Sequence, residues 1–251
     1  MGPRQVREEI VFNYKNFINR KKLMMEKLRE ALRQGDVDED IIPHLDILNS
    51  FPFCYTTSSC AGRIALIDTP LVGPKYESRK AYRWHRTVRF EEVLSAIETY
   101  SPRHTLWLKF DSFIISFSVS SLAWASFFVK LARYMNLKDS GIRSINPKAG
   151  FVNMDFMSTE KMAIPVKART GNLICRKDLM HMISIANFLM EKNRIKLSML
   201  FEVLKELRRY VEKNMEPPPL RIFDNIINAY REKIRALTRR DNSTLCLYSS
   251  Q

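Results

Sequence analysis

Between Thr105 and Lys167, strand-like runs follow one another across gaps too short for a crossover helix. Residues 105–110 and 113–118 are separated by Asp111-Ser112 alone, and 141–145 and 151–156 by an Asn146-Pro147-Lys148-Ala149-Gly150 turn. Residues 161–167 read as a further strand. Parallel neighbours need a long connection, whereas antiparallel ones can be joined by a tight turn. One helix, 121–136, interrupts the series, and it is apolar on several faces, as a deeply packed helix is. The order strand, strand, helix, strand, strand predicts an α+β fold. A mainly antiparallel sheet is expected to pack against helices, unlike the doubly wound sheet of Rossmann-type proteins.

Helices flank this region. Ile10, Tyr14, Phe17, Met24, Leu28 and Leu32 fall at helical spacing over 8–33, and Gly35 supplies a stop. Asp36 with Glu39 reads as a capping box for a short second helix ending near Asn49. Acidic residues there suit a helix N-terminus, so a structural role is expected of them. A helix over 90–100 carries Val93, Leu94, Ile97 and Tyr100 on one side. An apolar stripe from Leu179 to Val211 predicts a long helix over 176–214, ended by Pro217-Pro218-Pro219. A last helix over 220–238 ends in Lys233, Arg235, Arg239 and Arg240, and the tail from Asp241 is expected to be disordered. The chain divides accordingly into one α+β domain, 1–215, and a C-terminal helix with a basic tail, 216–251.

The least ordinary stretch is Cys54-Tyr55-Thr56-Thr57-Ser58-Ser59-Cys60-Ala61-Gly62-Arg63. Five consecutive hydroxyl or thiol groups would each need a partner inside a core. The stretch is therefore expected as two strands, 54–57 and 63–68, with a polar loop between them. Such a loop is either a Ser/Thr-rich turn or a wrap around a polar ligand. Gly62 permits close backbone approach, and Arg63 offers a planar fork to a carboxylate or phosphate.

Forty-one Lys and Arg against 27 Asp and Glu leave a net charge of +14. That excess favours a polyanion such as nucleic acid, the alternative being charge for solubility alone. Lys75, Arg79, Lys80, Arg83, Arg86 and Arg89 are interleaved with Tyr76, Tyr82, Trp84 and His85, where 69–78 reads as an irregular loop. Cations that hold phosphates beside aromatic faces that stack on unpaired bases make this the best local RNA-binding candidate. Tyr82, Trp84 and Arg86 are equally one face of a strand. Cys54, Cys60, Cys175 and Cys246 form no C-x-x-C pair, and His44, His85, His104 and His181 miss zinc-ligand spacing. No metal is expected, and the thiols should be free, with Cys54 and Cys175 in apolar surroundings. No long uncharged apolar run and no leader-like start are present. A cytoplasmic protein is expected.

The segment Tyr55 to Ile64 resembles the signature of the wybutosine-synthesising methyltransferases that act third in that pathway. Asp36-Val37-Asp38-Glu39-Asp40, Leu108-Lys109-Phe110-Asp111-Ser112-Phe113-Ile114, Ser140-Gly141-Ile142 and Ala186-Asn187 follow in that family's order, so the likeness spans roughly 10–205. The resemblance implies an enzyme that moves a methyl group from S-adenosylmethionine to the N4 nitrogen of a tricyclic modified guanosine beside the anticodon of tRNA(Phe). No G-x-G-x-x-G follows a strand, so an architecture other than the usual glycine loop must hold the cofactor. The cofactor candidates are Tyr55, Thr57, Ser58, Ser59, Cys60, Gly62, Arg63, Ser140 and Gly141. Arg63 is suited to a methionine-type carboxylate, on the cofactor or on the amino-carboxypropyl arm of the base. His85, Asp111 and Ser59 are the catalytic candidates; His85 titrates near neutrality. Lys75, Arg79, Lys80, Arg83, Trp84, Arg86 and Lys109 are the RNA-binding candidates, with Trp84 or Tyr55 placed to stack on an extruded base. One departure stands out: Ser116 occupies the place of a histidine in relatives. A non-catalytic tRNA-binding relative is therefore the alternative expectation.

Overall fold

The computed structural model describes residues 12–70 and 78–248. Helix α1 (Tyr14–Gln34) and α2 (Ile42–Ser50) lead into strands β1 (Cys54–Cys60), β2 (Arg63–Thr69) and β3 (Arg79–Trp84). Then come α3 (Phe90–Thr99), β4 (Thr105–Asp111), β5 (Ile114–Val119), α4 (Leu122–Tyr134), β6 (Gly141–Asn146), β7 (Phe151–Met157), β8 (Lys161–Ala168) and the two-residue β9 (Gly171–Asn172). The long α5 (Arg176–Val211) and α6 (Asp224–Tyr248) complete the chain. The strands form two sheets, ordered β1-β5-β7-β6 and β3-β2-β4-β8-β9. Every pairing is antiparallel. The α+β architecture expected from the short connections is the one found.

What the connections did not reveal is that β1 and β2, β4 and β5, and β7 and β8 each sit in different sheets. The chain thus passes between the sheets at 61–62, at 112–113 and at 158–160, and one helix clasps all three passages. Asn193 Nδ2 donates to Ala61 O at 2.8 Å while its Oδ1 accepts from Phe113 N at 2.7 Å. One turn on, Lys196 donates to Ser158 Oγ at 2.9 Å and to Glu160 at 2.7 Å. Ser112 Oγ donates to Ser158 O at 2.8 Å and so ties the second passage to the third. Helix α5 can do this because it is 36 residues long, about 54 Å at 1.5 Å per residue. Its first half, from Leu179 to Met190, belongs to the core of the second sheet. Its second half, from Leu197 to Val211, belongs to the core of the first sheet with α2, α4 and α6.

Lys196 and Glu160 are buried, and such a pair needs several hydrogen bonds to offset its desolvation. Burial alone would raise the Glu160 carboxyl. Hydrogen bonds from Lys196, Ser158 and Lys192 outweigh it and hold the group down to about 2. Burial likewise lowers the Lys196 ammonium, with Glu160 opposing that shift. Because Glu160 is lowered from the ordinary glutamate value of about 4.3, its stabilisation is complete above that pH and is lost as the pH falls toward 2. Replacing Lys196 by methionine should cost about 3 kcal/mol at neutral pH, because the buried carboxylate loses its closest cation and keeps only Lys192 and the Ser158 hydroxyl. Urea unfolding at pH 7 and pH 3 checks this: the penalty must shrink in acid.

Several local expectations need correction. The signature is not a loop: β1 continues through Cys60. It can be a strand because it lies at a sheet edge, where Thr57 and Ser58 face solvent. Thr56, the buried hydroxyl, accepts from Asn49 Nδ2 at 2.8 Å. Helix α1 starts after the cap Asn13, whose side chain accepts from Asn16 N, and the expected start near residue 8 lies outside the described residues. No capping box forms at Asp36; Asp38 precedes the 3-10 turn Glu39–Ile41 without a side-chain cap. Cys175 is exposed, capping α5 by accepting from Asp178 N, because a thiol can stand in for a hydroxyl there. Helix α6 runs on to Tyr248 instead of ending near 238 in a disordered tail. Ile10, the loop residues 71–77 and the side chain of Cys246 lie outside the described residues. No helix among the described residues is long and apolar enough to cross a membrane.

Candidate active site

The end of β1 separates two clefts. One, of about 310 Å³, lies between β1 and the C-terminal half of α1, lined by Met24, Lys27, Asp36 and the hydroxyls of Thr57, Ser58 and Ser59. The other, of about 320 Å³, is lined by Asp40, Ala61, His85, Met190, Arg194 and Ser198. The segment 36–40 and the end of β1 contribute to both, so they form the partition.

On that partition Asp38, Cys60 and His85 meet. Asp38 Oδ2 accepts from Ala61 N at 2.7 Å and lies 3.2 Å from His85 Nδ1. Burial pushes the Cys60 thiol up, and a hydrogen bond to Gly62 N opposes that rise. The thiol is therefore a neutral neighbour of the carboxylate and not a ready nucleophile. The contact between Asp38 and His85 is one of proximity, since His85 Nδ1 has no well-aligned acceptor. The three ligand atoms also lie within 4.8 Å of one another, a set that could hold a zinc-type cation. Chain spacing could not show this group, because its members come from three separate segments.

Two asparagines of α5 position this partition. Asn193 fixes the Ala61–Gly62 peptide and ties it to Phe113, as described above. Asn187 accepts from Val88 N at 2.8 Å and donates to Val88 O at 2.9 Å, so it anchors the segment that carries His85. Arg194 reaches His85 O at 3.3 Å and Asp40 at 3.7 Å. The late Ala186-Asn187 step therefore matters through its side-chain amide. Sequence reasoning missed Asn193 altogether, and it gave Asp38 only a structural role.

Arg63 and Asp111 stand opposite each other on β2 and β4. Their nearest atoms are 3.5 Å apart, and Arg63 Nε has no well-aligned acceptor. The register continues this face of the second sheet as a row of Arg83, Ala65, Lys109 and Ala163. It is a largely basic face beside the end of β1. Asp111 thus pairs with Arg63 on the second sheet, whereas His85 lies in the bend after β3.

Other candidates fall elsewhere. Tyr55 is fully buried, its ring tilted against Phe17 with centroids 5.1 Å apart, and cannot touch a ligand. Ser140 spends its hydroxyl on Met157 N and O, holding β6 to β7. Neither Ser140 nor Gly141 lines the two clefts. Gly62 is structural in the same sense, since its φ of +97° and its contact with Asn193 leave no room for a side chain. Trp84 packs on the core of the second sheet with Tyr82 stacked at 5.9 Å, so its ring is no open platform. Arg86 is engaged by Glu92 at 2.6 Å. Arg79, Lys80 and Arg83 are exposed on the edge strand β3. Lys75 lies outside the described residues. Ser116 pairs in register with Ser58 on one side and Asp155 on the other, so the departure from the family pattern falls beside the signature hydroxyls.

Comparison with known proteins gives this geometry a context. Residues 19–206 match the family described as Methyltransferase TYW3. A Thermococcus sibiricus protein named tRNA(Phe) 7-((3-amino-3-carboxypropyl)-4-demethylwyosine(37)-N(4))-methyltransferase is 34% identical over 195 residues, 78% of this chain and 98% of that one. A Pyrococcus furiosus protein named as methyltransferase 1 of the same description is 36% identical over 77% of this chain and 97% of its own. The solved structure of a Pyrococcus horikoshii protein superposes with a TM-score of 0.71 at 34% identity, covering 76% of this chain and 97% of that one. The chain is thus a methyltransferase built on antiparallel sheets instead of a doubly wound one. It belongs to the TYW3 family.

Proposed function

We propose that this protein transfers a methyl group from S-adenosylmethionine to the N4 nitrogen of the tricyclic guanosine derivative beside the anticodon of tRNA(Phe), in the cytoplasm. The observation that carries the reading is the Asp38–His85 pair on the wall between the two clefts. The cleft of Thr57, Ser58 and Ser59 suits the cofactor: hydroxyls for its polar groups, Lys27 for its carboxylate, and Met24 and Leu28 for its apolar parts. The cleft of His85 and Arg194 suits the base. Bound in the hydroxyl-lined cleft, S-adenosylmethionine would supply a methyl group on a sulfonium. The nitrogen would have to meet that methyl carbon in line at the rim of the partition, where the two clefts come together, the C–S bond breaking onto sulfur as the N–C bond forms. His85 takes the proton released by the nitrogen while Asp38 balances the imidazolium. Arg63 is placed for the carboxylate of the base's side arm. Lys109 and Arg83 on the same sheet face, with Arg79 and Lys80 on the edge strand, serve the RNA backbone.

Labelled S-adenosylmethionine, with tRNA(Phe) from cells lacking this methyl group, tests the reading: label must appear on the purine beside the anticodon. The position of Ser116 next to Ser58 favours one rival, a tRNA-binding relative without turnover. Tight tRNA binding with no label transfer would select that rival.

A further inference from the structure

The family match ends at residue 206, before α6 begins. This added helix is fastened to the rest of the molecule by its inner side. Phe223 and Ile227 are buried in the core of the first sheet, Tyr134 Oη bonds Asp224, and Arg231 donates to Tyr134 O at 2.9 Å. Helix α6 then runs antiparallel to α5. Tyr230 comes within reach of the Glu202 charge, and further on Arg240 pairs with Glu191 at 2.7 Å. Glu191 lies one turn before Arg194, which lines the cleft of His85. The added helix therefore begins away from the site and comes level with it at Arg240.

Its outer side is basic. Arg235 and Arg239, four residues apart, are exposed on it, with Arg231, Lys233 and Arg240 toward the flanks. Between Asn225 and Arg240 the one acidic residue is Glu232. Residues four apart share a helix face, rising about 6 Å at each step. Arg235 pairs with Glu232 within the helix. Exposed pairs of that kind contribute little and exchange readily for another anion. Arginine's planar fork suits phosphate oxygens better than a lysine's point charge does.

We propose that the outer face of α6 is a phosphate-binding rail that extends the grip on tRNA from the cleft of His85 along the backbone of the same RNA arm. This rests on the reading of tRNA as substrate. The rail adds affinity without touching the reacting atoms, so it acts on tRNA capture and leaves the chemical step alone.

The test is the double variant Arg235→Ala/Arg239→Ala in the full chain, with binding of unmodified tRNA measured across a salt series. Because each phosphate contact contributes about 0.7–0.9 to the slope of log affinity against log salt, the slope should fall by about 1.5. Affinity at moderate salt should drop about tenfold. At the same time kcat at saturating tRNA, S-adenosylmethionine affinity and the melting temperature should stay as in the wild type, with KM for tRNA raised. Unchanged tRNA affinity and slope in the folded variant would overturn the rail, including in favour of a protein partner for this face. If the wild type binds tRNA but transfers no methyl group while the variant binds more weakly, the rail stands and the proposed reaction falls.

Discussion

Asp38→Asn is expected to slow methyl transfer by about 10²- to 10⁴-fold, the usual contribution of a positioned proton acceptor and its partner. The carboxylate does two things at one point: it receives Ala61 N–H and faces His85 Nδ1. The amide keeps the shape and can still accept from Ala61, so the partition should fold. What it loses is the negative charge that stabilises the imidazolium as the nitrogen gives up its proton. His85→Ala should lose a similar factor. The double variant should be little worse than either single one, since paired groups act as a unit. Single-turnover transfer at saturating cofactor reads the chemical step directly. A wild-type rate in Asp38→Asn would remove the pair from the mechanism, and retained cofactor binding would show that the loss is chemical.

Gly62→Ala is expected to destabilise the protein by about 3 kcal/mol or more, from left-handed backbone strain and a clash that packing cannot absorb. Glycine is needed here for two independent reasons. Its φ is +97°, and a Cβ would lie 2.6 Å from Asn193 Nδ2 and 3.1 Å from Phe113 N. Asn193→Ala should itself cost about 2–4 kcal/mol, because a buried carbonyl at Ala61 and a buried N–H at Phe113 lose their partner. Combined, the two should cost less than their sum, since the shortened side chain frees the space the new methyl needs. Chemical denaturation of the three variants decides the matter. A Gly62→Ala protein as stable as wild type would mean that the passage between the sheets is not held as described.

The fold was legible where local rules govern it. Two-residue gaps such as Asp111-Ser112 forced antiparallel neighbours, and the stripe from Leu179 to Val211 announced a long helix. The exchange of strands between two sheets was not legible, because Ala61-Gly62 and Ser112-Phe113 look like ordinary turns until Asn193 is seen gripping both. The hydroxyl run was misread for a related reason: a polar run argues against a buried strand, not against an edge strand bordering a cleft. His85 drew attention because its residue type carries chemistry. Asp38 was not, because its acidic neighbours offered a helix-capping explanation, and only the contact with Ala61 and His85 distinguishes it. Tyr55, Ser140 and Gly141 show the opposite error, residues of a recognisable motif whose work is to hold the framework.

Helix α5 is shared by both hydrophobic clusters, and that sharing governs how the molecule comes apart. Neither sheet keeps a complete core once α5 leaves, and α5 cannot leave one sheet without letting go of Asn193 and Lys196 at the seam. The two halves are therefore bound to melt together. Partly opened forms that keep one sheet and release the other are denied to this chain, so a site built across the seam is either wholly assembled or wholly lost.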